Sequence, residues 1–317
     1  MIGQIISHYN IQEAVGHGGM GVVYKARDTR LGRFVALKFL SEKLTEDRWA
    51  SDQFQQEARM ASRLNHPGIC TVYDIGEHER RPYIVMEFLE GGTLRTQIRN
   101  RRFTIQEVIA AGIQITDALG KAHSHGVVHR DINPANLFVT LEGRIKLLDF
   151  GIAKLIRSRY RLASSITNGT PVGSSLTGTV RYMSPDQALG WEVDGPSDIF
   201  SVGVVLYEML TGRPPVSGRD VAESIYQIVH KSPAFVRTLN PMVPDAIERV
   251  VTRCLEKCTA LRYQTAADLQ RDLLEAGMLR GIDFENRVIS QTTLQHVSLL
   301  THSADSELTQ TILNLRQ

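Results

Sequence analysis

Short stretches in the first ninety residues alternate between hydrophobic and polar positions. Such alternation, with β-branched and aromatic side chains, is typical of strands with one buried face. A turn at 29–32 (TRLG) separates two of them. Five segments carry the pattern: 9–15, 21–27, 33–39, 70–75 and 83–89. They predict a small, mostly antiparallel sheet.

One helical pattern interrupts these strands. Within 51–64, apolar residues from Phe54 to Leu64 recur every three or four positions. Asn65, His66 and Pro67 follow, and a proline cannot continue a helix. The segment predicts the one main helix of the N-terminal region.

After Gly91 and Gly92 the apolar positions follow helical spacing. Thr104 and Glu107 form a capping box that predicts the start of a helix. Residues 197–210 are apolar nearly all round, which predicts a buried central helix.

Two amphipathic patterns complete the helical part of the chain. They cover 244–257 and 265–277, and we expect Gly277 to cap the second helix. Residues 278–317 are rich in Ser, Thr and Gln, which favours a loosely ordered tail. Leu308, Ile312 and Leu315 leave one short helix open as an alternative. Docking on the rest of the chain, homodimerisation and connection to a sensor domain all stay open for this tail.

The change from strands to helices predicts an α+β protein with two lobes and a cleft between them. The N-lobe would span about 1–88 and the C-lobe about 89–276, followed by the tail from 277.

Composition is that of a soluble globular protein, with 42% apolar and 22% charged residues in 317. The net charge of +2 gives no reason to expect a nucleic-acid or membrane-surface partner. Three cysteines are too few for a disulfide framework. No stretch reaches the roughly 18 uncharged apolar residues of a membrane span. We therefore expect a cytoplasmic protein, with a membrane tether outside this chain left open.

A glycine array lies between two predicted strands. The segment 16–23 reads GHGGMGVV and places Gly16, Gly18 and Gly21 in GxGxxG order. Glycines allow close approach to phosphates because they lack a Cβ. A dinucleotide-binding fold would continue into a helix, whereas a strand follows here. A glycine-rich hairpin without a ligand remains an alternative.

Polar residues at five positions favour nucleotide chemistry. Lys38 lies in an otherwise apolar strand, and an ion pair with Glu57 would orient it toward phosphates. In HRDINPAN (129–136), Asp131 is placed to accept a proton from a hydroxyl group. Asn136 there, and Asp149 in LLDFG, are oxygen donors suited to Mg²⁺. Each residue alone is as well explained as a surface charge or a turn residue, but their combined order is hard to attribute to chance.

This order resembles a serine/threonine protein kinase, specifically the bacterial eukaryotic-type kinases, over residues 9–276. The resemblance implies the two-lobed protein kinase fold, ATP and Mg²⁺ as cofactors, and Ser/Thr-containing proteins as substrates. The implied phosphate-site residues are Gly16, Gly18, Gly21, Lys38 and Glu57, with Asp131 as base and Asn136 and Asp149 as metal ligands. The implied adenine-site residues are Met86 as gatekeeper, Glu87 to Leu89 as hinge, and Val23, Ala36 and Phe138 around the ring.

The resemblance continues after the catalytic loop. Segment 178–188 is similar to the end of an activation segment, with Thr179 at the position typical of Ser/Thr specificity. Asp198 would brace the catalytic loop, and Arg262 would pair with the acid that ends the activation segment. Arg130 implies activation by loop phosphorylation, for which Ser174, Ser175 and Thr177 are the best placed hydroxyls.

Several positions depart from the family pattern. Asn133 replaces a catalytic-loop lysine, and loss of one such electrostatic donor costs about 10²–10³ in turnover. Asp186 replaces a glutamate; we expect the shorter side chain still to meet Arg262, directly or through water, with a local stability cost more than a loss of chemistry. Cys258-Thr259 and Phe200 replace other common residues, and their effect is expected to be structural.

The favoured interpretation is an ATP- and Mg²⁺-dependent protein serine/threonine kinase weakened by Asn133. A nucleotide-binding pseudokinase scaffold with little or no phosphotransfer is the main alternative. A small-molecule kinase is less favoured, because segment 178–183 resembles a peptide-docking platform.

Overall fold

The computed structural model describes residues 1–18, 21–150 and 180–278. Thr179, Ser174, Ser175 and Thr177 lie outside these ranges, as do the tail residues from 279 onward.

The N-lobe is a six-stranded antiparallel sheet with the strand order β1-β2-β3-β4-β6-β5. Its strands are β1 (Ile5–Ile6), β2 (Tyr9–Gly18), β3 (Gly21–Asp28), β4 (Phe34–Leu40), β5 (Val72–His78) and β6 (Arg81–Glu87). Five of these strands correspond to the segments that alternation predicts. Strand β5 begins two residues later than expected and β6 ends two residues earlier.

A short helix, α1 (Glu42–Thr45), and a longer one, α2 (Arg48–Ala61), follow β4. Helix α2 begins three residues before the predicted start, because the Asp47 side chain accepts hydrogen bonds from the first-turn amides of Trp49 and Ala50. Phe54 and Ala58 pack against the sheet in a cluster with Leu40 and Ile84. This packing fixes the orientation of α2 over β4 and β6.

A second, three-stranded sheet lies at the start of the C-lobe. It consists of β7 (Gly91–Thr93), β8 (Leu137–Thr140) and β9 (Ile145–Leu147) in that order. The chain between β7 and β8 forms helices α3 (Leu94–Asn100) and α4 (Ile105–Ser124). The predicted capping box of α4 is confirmed, since Thr104 and Glu107 exchange both hydrogen bonds.

The remaining described chain is helical. Its elements are α5 (Pro185–Leu189), α6 (Gly195–Thr211), α7 (Val221–His230), α8 (Val236–Leu239), α9 (Asp245–Cys254), a 3₁₀ turn (Thr259–Leu261) and α10 (Ala266–Met278). Helix α6 is buried along almost its whole length, as its composition predicts. It packs with α4, α9 and α10 around the main hydrophobic core. The predicted α+β, two-lobed architecture is confirmed.

The prediction that Gly277 caps the last helix is wrong. Gly277 lies inside α10, which continues to Met278. Leu273, Ala276 and Gly277 are all buried on one side of this helix. Gly277 is therefore a buried residue of the helix and not the residue that follows its end.

Within the described ranges, no helix is both long enough and apolar enough to cross a lipid bilayer.

Candidate active site

Lys38 and Asp149 meet between the two lobes. Lys38 projects from β4 with only 7% of its surface exposed, and its Nζ lies 2.7 Å from Asp149 Oδ1. Burial is the largest influence on the Lys38 amine and would lower its pKa. The charges of Asp149 and Glu57 together outweigh burial, so the pKa of Lys38 lies above its ordinary value. A permanent buried cation therefore stands beside a carboxylate from the loop after β9.

Glu57 supplies a second carboxylate from the N-lobe. It lies on the buried face of α2 and is 5% exposed. Its charge helps to keep Lys38 protonated. The structure thus brings Lys38, Glu57 and Asp149 together from three elements that are distant in the sequence.

The glycine array forms the hairpin between β2 and β3, with Gly16 opposite Val23 and Gly18 opposite Gly21. Gly21 has a φ of 153°, and a Cβ at this position would lie 1.7 Å from the carbonyl oxygen of Phe39. The neighbouring strand β4 therefore requires a glycine at position 21. At Gly16 a Cβ would meet nothing closer than the Val23 Cβ at 3.7 Å.

Gly21→Ala is expected to lower the free energy of unfolding by at least about 1–3 kcal/mol, because the new methyl group overlaps the backbone of β4 and the φ is unfavourable for alanine. Gly16→Ala is the matched control and should leave stability within about 1 kcal/mol of the parent. Urea unfolding of both variants measures this difference. Equal stability of the two would contradict the packing described here.

Asp131 lies in the loop between α4 and β8. Its Oδ2 and its main-chain carbonyl both accept hydrogen bonds from Asn136 Nδ2, each at 2.9 Å. The amide of Leu148, next to Asp149, donates to the carbonyl of Asn136 at 2.8 Å. This chain of hydrogen bonds places Asp131, Asn136 and Asp149 in one unit.

Asn133 braces the same loop from inside. It is 2% exposed; its Nδ2 donates to the Asp131 carbonyl at 3.0 Å, and its Oδ1 accepts from the Ala135 amide at 3.0 Å. Both ends of the side chain therefore bind the loop backbone. Sequence reasoning compared Asn133 only with a missing lysine and did not anticipate this bracing role.

Asp198 holds the start of the loop, as predicted. Its two carboxylate oxygens accept the amides of His129 and Arg130 at 2.8 and 2.7 Å, and His123 Nε2 lies 2.9 Å away. Arg130 has a left-handed φ of 64° and Asp149 one of 48°. Such backbone is unfavourable for residues with a Cβ, so these contacts hold the site in a strained conformation.

His129 joins the loop to the segment that carries Asp149. The ring is fully buried, and burial is the main reason that its pKa lies below the ordinary value. Nε2 lies 2.9 Å from the Leu148 carbonyl, and the Asp131 amide donates to Nδ1 at 3.3 Å. These partners fit a neutral imidazole with its proton on Nε2. Sequence reasoning assigned no role to His129.

The predicted adenine-site residues surround the connection between the lobes. Ala36 pairs with Met86 across β4 and β6, and Val23 pairs with Lys38 across β3 and β4. Phe138 lies in β8, and Leu89 follows the end of β6; both are partly buried.

Glu87 has a second role that the sequence pattern did not reveal. Its carboxylate accepts from Lys146 Nζ at 2.6 and 2.8 Å and from the Thr71 amide at 2.7 Å. Lys146 belongs to β9, so this ion pair ties the interlobe connection to the C-lobe sheet. In the sequence, the only hint of this ion pair is that Lys146 lies three residues before Asp149.

A sequence profile of the family described as "Protein kinase domain" matches residues 9–274. The chain belongs to the protein kinase family. It is 39% identical over 270 residues to a probable serine/threonine-protein kinase of Streptomyces coelicolor. It is also 40% identical over 276 residues to serine/threonine-protein kinase PknB of Mycolicibacterium smegmatis. Each match covers 84% of this chain but only 39% and 42% of the relatives, so the chain spans less than half of their length.

Solved structures agree with the family. The kinase domain of Mycobacterium tuberculosis PknI matches with a TM-score of 0.67 and 26% sequence identity, covering 87% of this chain and 99% of that domain. The predicted protein kinase fold is therefore confirmed, and the resemblance to bacterial serine/threonine kinases is confirmed with it.

In this kinase domain Asp186 contacts Arg262 directly. The Asp186 Oδ2 accepts from Arg262 Nη1 at 2.6 Å, and Oδ1 accepts from the Thr259 hydroxyl at 2.8 Å. Burial alone would raise the pKa of Asp186, but these hydrogen bonds hold it below the usual range. The expected contact with Arg262 is confirmed and is direct, and the hydroxyl of Thr259 supplies a second partner for the shorter acid.

The kinase domain has few protein ligands to offer a divalent cation. Among the described residues, no three histidine, cysteine or acidic side chains gather as a metal site. Lys38 binds one oxygen of Asp149, and Asn136 uses its amide nitrogen on Asp131. These contacts use Asp149 Oδ1 and Asn136 Nδ2, so Asp149 Oδ2 and Asn136 Oδ1 are the candidate oxygen donors. A pair of oxygens suits Mg²⁺, which keeps waters and phosphate oxygens among its ligands.

Proposed function

We propose that this chain is an ATP- and Mg²⁺-dependent serine/threonine protein kinase domain that transfers the γ-phosphoryl group to Ser or Thr hydroxyls of proteins. The observation that carries the proposal is the 2.7 Å contact between Lys38 and Asp149 beside the Asp131–Asn136 pair. Membership of the protein kinase family supports it, and so does the similarity to bacterial serine/threonine-protein kinases.

Lys38 binds the α- and β-phosphates in this proposal, since it is a buried cation fixed on a strand. Glu57 keeps it protonated and oriented. The hairpin with Gly16, Gly18 and Gly21 covers the phosphates. Met86, Glu87 and Leu89 border the adenine together with Val23, Ala36 and Phe138; the carboxylate of Glu87 is bound to Lys146, so only its main chain faces the base.

Asn136 and Asp149 hold Mg²⁺ through the oxygens that Asp131 and Lys38 leave available. When bound, the metal neutralises charge on the phosphate oxygens and fixes their position. The left-handed backbone of Asp149 aims its carboxylate at Lys38, so cation and metal ligand are positioned together.

Asp131 accepts the proton of the attacking Ser or Thr hydroxyl. Asn136 donates to its Oδ2 at 2.9 Å, and this bond fixes the orientation of the carboxylate that meets the hydroxyl. Positioning and charge stabilisation supply most of the remaining rate enhancement. Thr179 stays a sequence-based prediction for Ser/Thr specificity, because it lies outside the described residues.

Asn133 slows this reaction without preventing it. The family lysine would place a cation near the γ-phosphate, whereas Asn133 is neutral and both its polar atoms are bound to the loop. The other five polar or charged side chains of the proposed site are present, namely Lys38, Glu57, Asp131, Asn136 and Asp149. A pseudokinase scaffold remains the alternative, and the neutral residue at position 133 is the observation that favours it.

Asn133→Lys is expected to raise kcat about 10- to 100-fold, less than a full electrostatic donor contributes, because the variant loses two hydrogen bonds to the loop. Steady-state phosphorylation of one peptide by both proteins measures the change. Asn133→Ala removes the same hydrogen bonds without adding charge and should lower kcat. An unchanged kcat for Asn133→Lys would show that the missing charge does not limit turnover.

The proposed function is tested with labelled ATP, Mg²⁺ and a Ser/Thr-containing test protein, followed by acid hydrolysis to identify the labelled amino acids. We expect phosphoserine or phosphothreonine, lost when EDTA removes the metal and strongly reduced in Asp149→Asn. Label at the level of the EDTA control would favour the scaffold alternative.

A further inference from the structure

A cluster of arginines lies beside the catalytic loop. Arg95 and Arg99 project from α3, one turn apart, and Arg181 follows the buried Val180 just before α5. Arg95 and Arg181 are half-buried, and Arg99 is exposed. Three cations from two distant parts of the chain thus share one side of the C-lobe.

Hydrogen bonds fix the Arg95 segment to the catalytic loop and the Arg181 segment to α6. The Arg95 amide donates to the Pro134 carbonyl at 2.8 Å, within the loop that carries Asp131. The hydroxyl of Tyr182, next to Arg181, donates to Glu208 Oε2 at 2.6 Å. Since Glu208 belongs to α6, this bond fixes the Arg181 segment to the central helix.

The three arginines converge around Glu208. Burial is the largest influence on this carboxyl and raises its pKa, while Arg95, Arg181 and Arg99 all act in the opposite direction. All three guanidinium groups therefore lie within electrostatic reach of one side chain. The Glu208 side chain is half-buried and accepts the hydrogen bond of Tyr182, so one partly buried carboxyl group faces three cations.

Neighbouring arginines are already engaged, but these three are not paired within the described residues. Arg101 binds Glu107 at 2.8 Å, and Arg102 binds the Thr211 carbonyl at 3.0 Å. Arg95, Arg99 and Arg181 form no ion pair with any described carboxylate. The buried Nε of Arg181 also has no hydrogen-bond partner in that part of the chain. Within the described residues the cluster therefore carries positive charge that no ion pair balances, on a helix whose Arg95 amide binds the catalytic loop.

We infer that Arg95, Arg99 and Arg181 form a specificity surface that selects protein substrates with Asp or Glu side chains close to the phosphorylated Ser or Thr. This inference rests on the proposed kinase function. Guanidinium groups bind carboxylates through paired, charge-assisted hydrogen bonds. The same surface repels peptides with Lys or Arg at those positions, which adds discrimination against basic substrates.

The test uses two peptides with one Ser or Thr that differ only in flanking Glu or Gln residues. We expect the parent protein to prefer the Glu peptide about tenfold in kcat/KM, which corresponds to a few exposed charge pairs. The triple variant Arg95→Gln, Arg99→Gln, Arg181→Gln should reduce the preference to within about twofold. Its melting temperature should match that of the parent, which shows that the fold is intact.

Two controls separate charge from structure. The triple variant with lysines at the same positions retains the charge and should retain most of the preference. Arg271→Gln removes an arginine that pairs with Asp268 on α10, and should leave the preference unchanged.

Equal kcat/KM for both peptides in the parent would overturn the specificity surface and leave the kinase function standing. A preference that survives the glutamine triple variant would overturn it as well. If no peptide is phosphorylated, the proposed kinase function fails. The specificity surface is then tested by binding alone, with fluorescence anisotropy of labelled peptides that carry Ala at the acceptor position. Tighter binding of the Glu peptide, lost in the glutamine variant, would support the surface; equal binding would end the proposal.

Discussion

Asp131→Asn is expected to lower kcat for Ser/Thr phosphorylation by about 10²–10⁴-fold, the contribution typical of a general base. The amide has the same shape as the carboxylate and can still accept the 2.9 Å hydrogen bond from Asn136. The loop backbone stays held by Asp198 through the amides of His129 and Arg130. The substitution removes the negative charge that accepts the hydroxyl proton.

Three readouts separate a lost base from a damaged site. Steady-state phosphorylation gives kcat, calorimetric titration gives the affinity for Mg²⁺–ATP, and thermal unfolding reports the fold. We expect a large fall in kcat with the affinity and the melting temperature nearly unchanged. Asp52→Asn, which changes an exposed acid on α2, serves as the control for loss of one charge. A kcat within threefold of the parent would contradict the role of Asp131.

Arg262→Ala is expected to lower the free energy of unfolding by about 3–5 kcal/mol, the cost of leaving a buried charge without its partner. Arg262 is 1% exposed and donates to Asp186 and to the carbonyls of Glu256 and Lys257. The truncation would leave Asp186 with the Thr259 hydroxyl as its main remaining partner.

Urea unfolding measures this loss against two comparisons. Thr259→Val removes one hydrogen bond to Asp186 and should cost only about 0.5–1.5 kcal/mol. Arg271→Ala changes a 60% exposed arginine and should stay within about 0.5 kcal/mol of the parent. A loss below 1 kcal/mol for Arg262→Ala would show that the buried ion pair contributes little to the fold.

The sequence predicts most of the fold because local patterns and tertiary structure agree. Alternation locates the strands of the N-lobe sheet, and the Thr104–Glu107 capping box marks the start of α4. The convergence of Lys38 and Asp149 also follows from the motif order. The distance between Lys38 and Asp149 cannot be predicted from the motif order, because it depends on how β4 and the loop after β9 meet.

Other features needed coordinates because they depend on partners far away in the chain. From the sequence, Thr259 is only a replacement for another common residue of the family. Its 2.8 Å hydrogen bond to Asp186 shows that it compensates for the shorter acid. Asn133 differs from the expected lysine in charge, but its two hydrogen bonds to the loop backbone depend on the local turn. A glycine at position 277 is typical of a residue that follows a helix, but Gly277 lies buried inside α10.

The central claim is that Lys38, Asn136 and Asp149 converge on a metal-bound triphosphate in one site. Calorimetric titration of ATP into the parent protein and Asp149→Asn, each with and without Mg²⁺, tests this most directly. The structure predicts one ATP per chain, bound at least about tenfold more tightly with Mg²⁺, a gain that Asp149→Asn abolishes. Equal ATP affinity with and without Mg²⁺ in the parent would contradict the claim.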